Sequence, residues 1–191
     1  MMLVIRFIFL FYFFLLEIGQ SDVVLIATVN GYPLHLKELQ YEMSNQRTRV
    51  YAYFAAKCDL GETALDWTKR YHGEVPLEVL KKRALEQAVA IKVQQIEMKK
   101  HGIDVAINYE QFVRKYEEAT LKRKEAIKNG DIVFGPPIYT AQNYFNYVFS
   151  NQLNALKVTL MDKKQMEDNS YQEWLNKKLS MAKVMVVTNK W

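Results

Sequence analysis

Beyond the first twenty residues, only two segments read as strands, and they lie at opposite ends of the remaining chain. Residues 23–29, VVLIATV, are β-branched and apolar and stop at Asn30-Gly31, a turn signal that we carry through Tyr32-Pro33. Residues 183–188, KVMVVT, have the same character. A lone strand leaves its backbone N–H and C=O groups without partners, which costs free energy wherever they are buried. The economical solution pairs 23–29 with 183–188. The two ends then meet, and the chain between them closes into one body. No internal repeat or low-complexity linker divides residues 21–191, so they are expected to form a single helical domain.

Between the strands the pattern is helical. Leu36, Leu39, Met43, Val50 and Phe54 approximate one face of a helix over 36–57, with Gln46-Arg47 interrupting the stripe. Residues 58–75 read as a loop holding Gly61, Gly73, Trp67 and Tyr71. Pro76 suits the first turn of the next helix, which should end at His101-Gly102. Those 26 residues would span roughly 39 Å, the length of a central spine or an extended arm. Asn108 with Gln111 offers a capping box for a third helix, with Phe112, Tyr116, Ala119 and Arg123 on one face and Gly130 at its end. An extended segment over 132–137 comes next. Thr140 can cap a fourth helix over 140–166, and Ser170 with Glu173 a fifth over 171–182. The expected fold is mainly α, with about five helices including one long central one. A small two-stranded sheet would join the N- and C-terminal strands.

The N-terminus reads as a targeting segment. Residues 3–16, LVIRFIFLFYFFLL, are apolar except for Arg6, and Phe7 to Leu16 carry no charge. A charged start before an apolar core of that length is the form of a secretory signal. It falls short of the ~20 residues that cross a bilayer as a helix. Gly19 is the only small residue near its end, so either cleavage falls after Gly19 or the segment stays as an anchor. The expected location is therefore exported: periplasmic, extracytoplasmic or secreted, and membrane-anchored if the segment is kept. Residues 1–20 contain one base, Arg6, and one acid, Glu17, so the net charge of +5 is the same with or without them.

Signs of catalysis are lacking. Cys58 is the single cysteine, which excludes an internal disulfide and a multi-cysteine zinc site. No G-x-G, G-x-x-x-x-G-K-[ST] or G-x-S-x-G occurs. His35, His72 and His101 lack metal-ligand spacing, so no catalytic residue, metal or cofactor is expected. The 26 Lys and Arg are interleaved with 21 Asp and Glu, as on solvated helix faces, and no nucleic-acid motif accompanies them.

Aromatic surplus is the positive signal. Tyr51, Phe54, Tyr144, Phe145, Tyr147 and Phe149 crowd two helices, and the last four cover most of a helix circumference. One core face cannot absorb them all. Tyr and Phe left on helix surfaces are what a site for apolar, extended peptide needs, so these six form the expected peptide-binding set.

The order of segments adds a resemblance. A signal-like segment precedes IATVNG, then LHLKELQYEM, then PLEVLKKRALEQAVAIKVQQIEMKKHGI, then NYEQFVRKYEE. This resembles the N-terminal chaperone domain of the SurA, PrsA and PpiD-type extracytoplasmic foldases, related to the peptide-binding part of trigger factor. The resemblance covers about 23–182 and is strongest at 26–43 and 76–116. It implies an ATP-independent chaperone whose partners are unfolded or nascent exported proteins. Many members insert a parvulin peptidyl-prolyl isomerase domain before the last helix and strand. Here only about ten residues separate Met161 from Ser170, against the ~100 residues of an ordinary domain. Isomerase activity and service as a dedicated assembly subunit are the alternative readings.

The signal reading has a direct check. A reporter fused after Ser21 should be exported. Replacing Leu10 and Phe13 with Asp should abolish this, since each charge in hydrocarbon costs about 2.5–3.5 kcal/mol on insertion scales. Undiminished export of the double variant would remove the signal.

Overall fold

Asn30 and Gly31 both take positive φ, 50° and 82°, the backbone of a two-residue hairpin turn. That turn does more than end a strand. It pairs β1 (Leu25–Val29) with β2 (Tyr32–His35) in antiparallel register, Val29 opposite Tyr32 and Thr28 opposite Pro33. The other edge of β1 takes β3 (Val184–Val186), also antiparallel, with Ala27 opposite Val186. The Asn30 side chain accepts from the Lys183 N–H, and the Asn30 N–H donates to the Lys183 C=O, both at 2.8 Å. The expected joining of the two chain ends is present. The sheet, however, has three strands in the order β2-β1-β3, and Tyr32-Pro33 belongs to a strand. Pro33 is tolerated because β2 is an edge strand.

The structure, a computed structural model, describes residues 24–58, 64–166, 170–188 and 191. The targeting segment 1–20, the strand start at Val23 and Gly61 lie outside the described residues. The rest is mainly helical: α1 (Leu36–Cys58), α2 (Pro76–Lys100), α3 (Tyr109–Lys128), α4 (Ala141–Asp162) and α5 (Tyr171–Ser180).

Helix α2 is the spine. It packs against α1, α4, α5, β1 and β2, and seven consecutive residues, Lys92 to Met98, are buried. Its N-terminal half buries Leu80 against Val50 and Phe54 of α1, and Ala84 and Ala88 against Ile26, Leu34 and Leu39. Farther along, Val93 and Ile96 meet Val29, Ile107 and Leu175 of α5, and Met98 meets Leu156 and Leu160 of α4. The helix stops at Gly102, where φ is 77°. The Ile103 N–H returns to the Met98 C=O at 3.0 Å and the Gly102 N–H to the Lys99 C=O at 3.1 Å, a Schellman end.

Two stripes differ from their sequence reading for physical reasons. Along α1 the buried line is Leu39, Glu42, Gln46, Val50 and Phe54, so Gln46 continues the stripe and does not interrupt it. Arg47 lies outside that line, its guanidinium 4.8 Å from the Trp67 ring centre. Helix α4 ends at Asp162 and not at 166, because Lys164 turns left-handed (φ 54°) and closes a Schellman end on Leu160. The Asn108 and Thr140 caps form as expected, accepting from the N–H groups of Gln111 and Asn143. Ser170 stands at the N-cap of α5, but the Ser170–Glu173 capping box is not made.

The spine carries charge. Lys92 is fully buried and donates to Glu38 of α1 at 2.6 Å and to the Ile107 C=O at 2.8 Å. Glu38 also accepts from the His35 N–H at 2.9 Å. Burial pushes the Glu38 carboxyl up, but the His35 and Lys92 contacts outweigh it, and the group sits below its ordinary value. Its contribution to stability is therefore in place at neutral pH and is lost as the pH falls through that lowered value.

Lys92→Met alone should cost roughly 3–5 kcal/mol, because it strands the Glu38 carboxylate. Adding Glu38→Gln, which keeps an acceptor for the His35 N–H, should recover much of that loss. Denaturant titration of the single and double variants measures both. Equal losses would remove the pair from its structural role.

Candidate functional site

Helix α3 buries none of its residues, yet one side of it is aromatic. Tyr109, Phe112 and Tyr116 recur at steps of three and four, which puts them on one face. That face meets α4. Phe112 lies 6.0 Å from Tyr144 and 5.9 Å from Phe145, ring centre to ring centre, and Tyr116 lies 5.8 Å from Tyr144. Phe145 reaches on one side to Tyr41 of α1 at 5.2 Å, edge-on, and on the other to Phe149 at 5.4 Å, stacked. Tyr139 extends the row to Tyr147 at 6.3 Å. The separations are those of attractive offset and edge-to-face pairs.

This network forms one wall of an open pocket of about 740 Å³, which takes in its mouth. The opposite wall comes from β2 and α2, through Leu34, Ala88 and Ile91. A second pocket of about 600 Å³ adjoins it and shares Gln95, Ala106, Phe112 and Phe145. Together they make a groove under the start of α3. Hydrogen bonds hold α4 against α1 at its edge: the Tyr41 hydroxyl donates to Asn146 Oδ1 at 2.7 Å, and Gln142 donates to Asn45 at 2.8 Å. At the second pocket, Lys115 of α3 is paired with Asp104 at 2.5 Å, and Gln152 of α4 donates to the Asp104 C=O at 2.7 Å.

Polar side chains interrupt the apolar lining, Glu42 and Gln95 among them. Glu42 is buried and bonded to the Asn45 amide at 3.2 Å. Burial pushes its carboxyl above the ordinary value, and the Asn45 contact and the charge of Arg49 only partly offset this. Gln95, 6% exposed, donates to the Ala106 C=O, while its Oε1 is buried without a partner.

Beyond the groove the chain forms an apolar tip. Ile132 is 86% exposed and Phe134 87%, with Ile138 also exposed. This loop is held in shape. Arg123 of α3 donates to the C=O groups of Pro136 and Phe134, and its guanidinium lies 4.7 Å from the Tyr139 ring centre. The backbone is tied down while the apolar side chains face out.

The six sequence-expected residues separate into four environments. Tyr144, Phe145 and Phe149 line the second pocket, and Phe145 lines both. Tyr147 is 57% exposed and stacks on Tyr139. Phe54 is fully buried with Val50, Leu65 and Leu80, so it is core and not a binding surface. Tyr51 does not share its face. It is exposed beside Arg47 and Trp67, ten residues along α1 from Tyr41, roughly 15 Å from the groove network. Tyr41, Tyr109, Phe112, Tyr116 and Tyr139 are not among the six, although the 109-112-116 spacing is a legible signal. Among the described residues no cluster of metal-ligating side chains occurs, and no helix is long and apolar enough to cross a membrane. No family model, curated protein or solved structure matches the chain.

The core and tip assignments separate by stability. Phe54→Ala should cost about 3–5 kcal/mol. Ile132→Ser with Phe134→Ser should leave stability within roughly ±0.5 kcal/mol, as for exposed sites. Thermal melts of both variants decide this, and a large loss in the tip variant would place those side chains in the core.

Proposed function

We propose that the chain is an ATP-independent chaperone that binds unfolded, exported polypeptides along the α3–α4 aromatic row. The observation that carries this reading is the unbroken run of ring contacts that starts in an open groove and leads along α3 and α4 toward an exposed apolar tip. From Tyr109 to Tyr116 the row spans roughly 10 Å of helix. An extended client segment of about three residues covers that distance. Binding works by shielding: client side chains leave water against Tyr and Phe, and the client is released when folding withdraws them. Surfaces of this kind tolerate many sequences, because apolar contact sets no strict hydrogen-bond pattern. The order of segments that resembles the foldase chaperone domains supports the same reading, as does the short 163–169 interval that leaves no room for a parvulin domain.

The test is aggregation suppression by the full-length chain with two unrelated, chemically unfolded clients. Suppression of both at near-stoichiometric ratio is expected. The tip variant should weaken client affinity, because aromatic and aliphatic anchors contribute on the order of 1–2 kcal/mol each. Binding to neither client overturns the proposal. Strong binding to one native partner alone would mark a dedicated assembly subunit, and acceleration in a proline-peptide assay would restore the isomerase reading.

A further inference from the structure

The protein covers many of its aromatic rings with its own cations. Trp67, Tyr53, Tyr71, Tyr32, Tyr139 and Tyr171 each lie under a Lys or Arg, with the charge 4.7–5.6 Å from the ring centre. Among the described residues, no such contact is made over Tyr41, Tyr109, Phe112 or Phe145, the rings that wall the first pocket. The same pocket holds two acceptors with capacity to spare. The Glu42 carboxylate is buried with only the Asn45 amide as a hydrogen-bond partner and forms no ion pair among the described residues. Gln95, which lines the pocket, keeps a buried Oε1 with no partner among the described residues, and the amide cannot turn over, because its nitrogen is needed by the Ala106 C=O. The neighbouring Glu38 does not compete, since Lys92 and His35 already satisfy it.

We propose that this pocket is a subsite for an arginine side chain of the bound polypeptide. The inference rests on the reading of the groove as a peptide-binding surface. A guanidinium fits three features at once. Its flat face stacks on Tyr and Phe, its charge answers Glu42, and its fork of N–H donors reaches more than one acceptor. A lysine ammonium supplies the charge without the stacking plane. A phenylalanine fills the volume but leaves both acceptors unpaired. Lys37 at the mouth is exposed, and its repulsion is screened by solvent. Burial lifts the Glu42 carboxyl above its ordinary value even with the charge of Arg49 acting on it, and a ligand cation favours its ionised form.

The experiment measures binding of the full-length chain to fluorescent peptides of one apolar sequence that differ only at a central Arg, citrulline, Lys or Phe. Citrulline keeps the shape of arginine and lacks the charge. The Arg peptide should bind tightest, about tenfold better than citrulline, the scale of hydrogen bonds to a charged group. Glu42→Gln should remove most of that preference. Equal binding of Arg and citrulline, or tightest binding of Phe, overturns the subsite. If Glu42→Gln unfolds the chain, the citrulline comparison on the unaltered protein still decides. Absence of the arginine preference with aggregation suppression intact sinks only the subsite, whereas failure of both sinks the chaperone reading too.

Discussion

The Lys92–Glu38 pair is the interaction on which the arrangement depends. It lies where α1, α2, the end of β2 and the 103–108 segment meet. The ammonium donates to Glu38 on one side and to the Ile107 C=O on the other. Removing two charges from water is costly, and their attraction offsets that only when the remaining hydrogen bonds are satisfied. Here they are: the His35 N–H completes the carboxylate. The consequence is positional. Ile107 immediately precedes the Asn108 cap, so fixing its carbonyl fixes where α3 begins. Gln111 reaches back to the Ile107 N–H at 3.0 Å and closes the same corner from the other side. The groove wall carried by Tyr109 and Phe112 is thus set by a buried charge one helix away.

The same device recurs along the spine. Glu97 is buried and binds Lys100 on its own helix at 2.6 Å and Lys178 of α5 at 2.9 Å. Gln94 accepts from the Tyr171 hydroxyl at 2.8 Å. A helix buried on all sides by apolar residues alone could slide or rotate at small cost, because hydrophobic burial is non-directional. Polar side chains that find partners only in one register forbid this, since a slip leaves buried groups unpaired. The polar residues between Lys92 and Glu97 therefore specify how α1 and α5 seat on α2.

Legibility in the sequence divides along the same line, between local chemistry and distant partners. The strands at the chain ends are legible because β-branched runs need partners and only two such runs stand out. Strand β2 is not, because a four-residue segment with Pro33 has no pattern of its own and exists through the Asn30-Gly31 hairpin. The Gly102 end and the Asn108 and Thr140 caps are legible, being local chemistry. Glu42 and Gln46 on the buried line of α1 are not, since their burial depends on Asn45, on α2 and on the groove. The aromatic excess of 144–149 shows that some rings must reach a surface. It does not show which. Phe54 likewise is buried through partners far along the chain, the loop residue Leu65 and Leu80 of α2, which its own helix does not reveal. Tyr41 joins the network across more than a hundred residues of chain, a distance no local pattern spans.

The arm formed by α3 and its tip obeys a different rule from the body. With no buried residue, α3 is stabilised by its two ends, by one aromatic row and by pairs such as Glu118–Lys122 at 2.6 Å, worth a few tenths of a kcal/mol each, about 0.2–0.5. Segments built from so few buried contacts belong to the low end of the local stability range. Displacing α3 from α4 sacrifices ring contacts and the Tyr116–Tyr139 hydrogen bond, whereas displacing α2 breaks the polar register and the apolar clusters around it. Under the proposed binding role this contrast is functional. A client that inserts between α3 and α4 replaces ring–ring contacts with ring–client contacts of similar kind, so opening the arm costs little net free energy. Arg123 keeps the tip presented throughout, because its bonds run to the Pro136 and Phe134 carbonyls and not across to the body. The body is specified by directional bonds, and the arm is left to exchange non-directional ones.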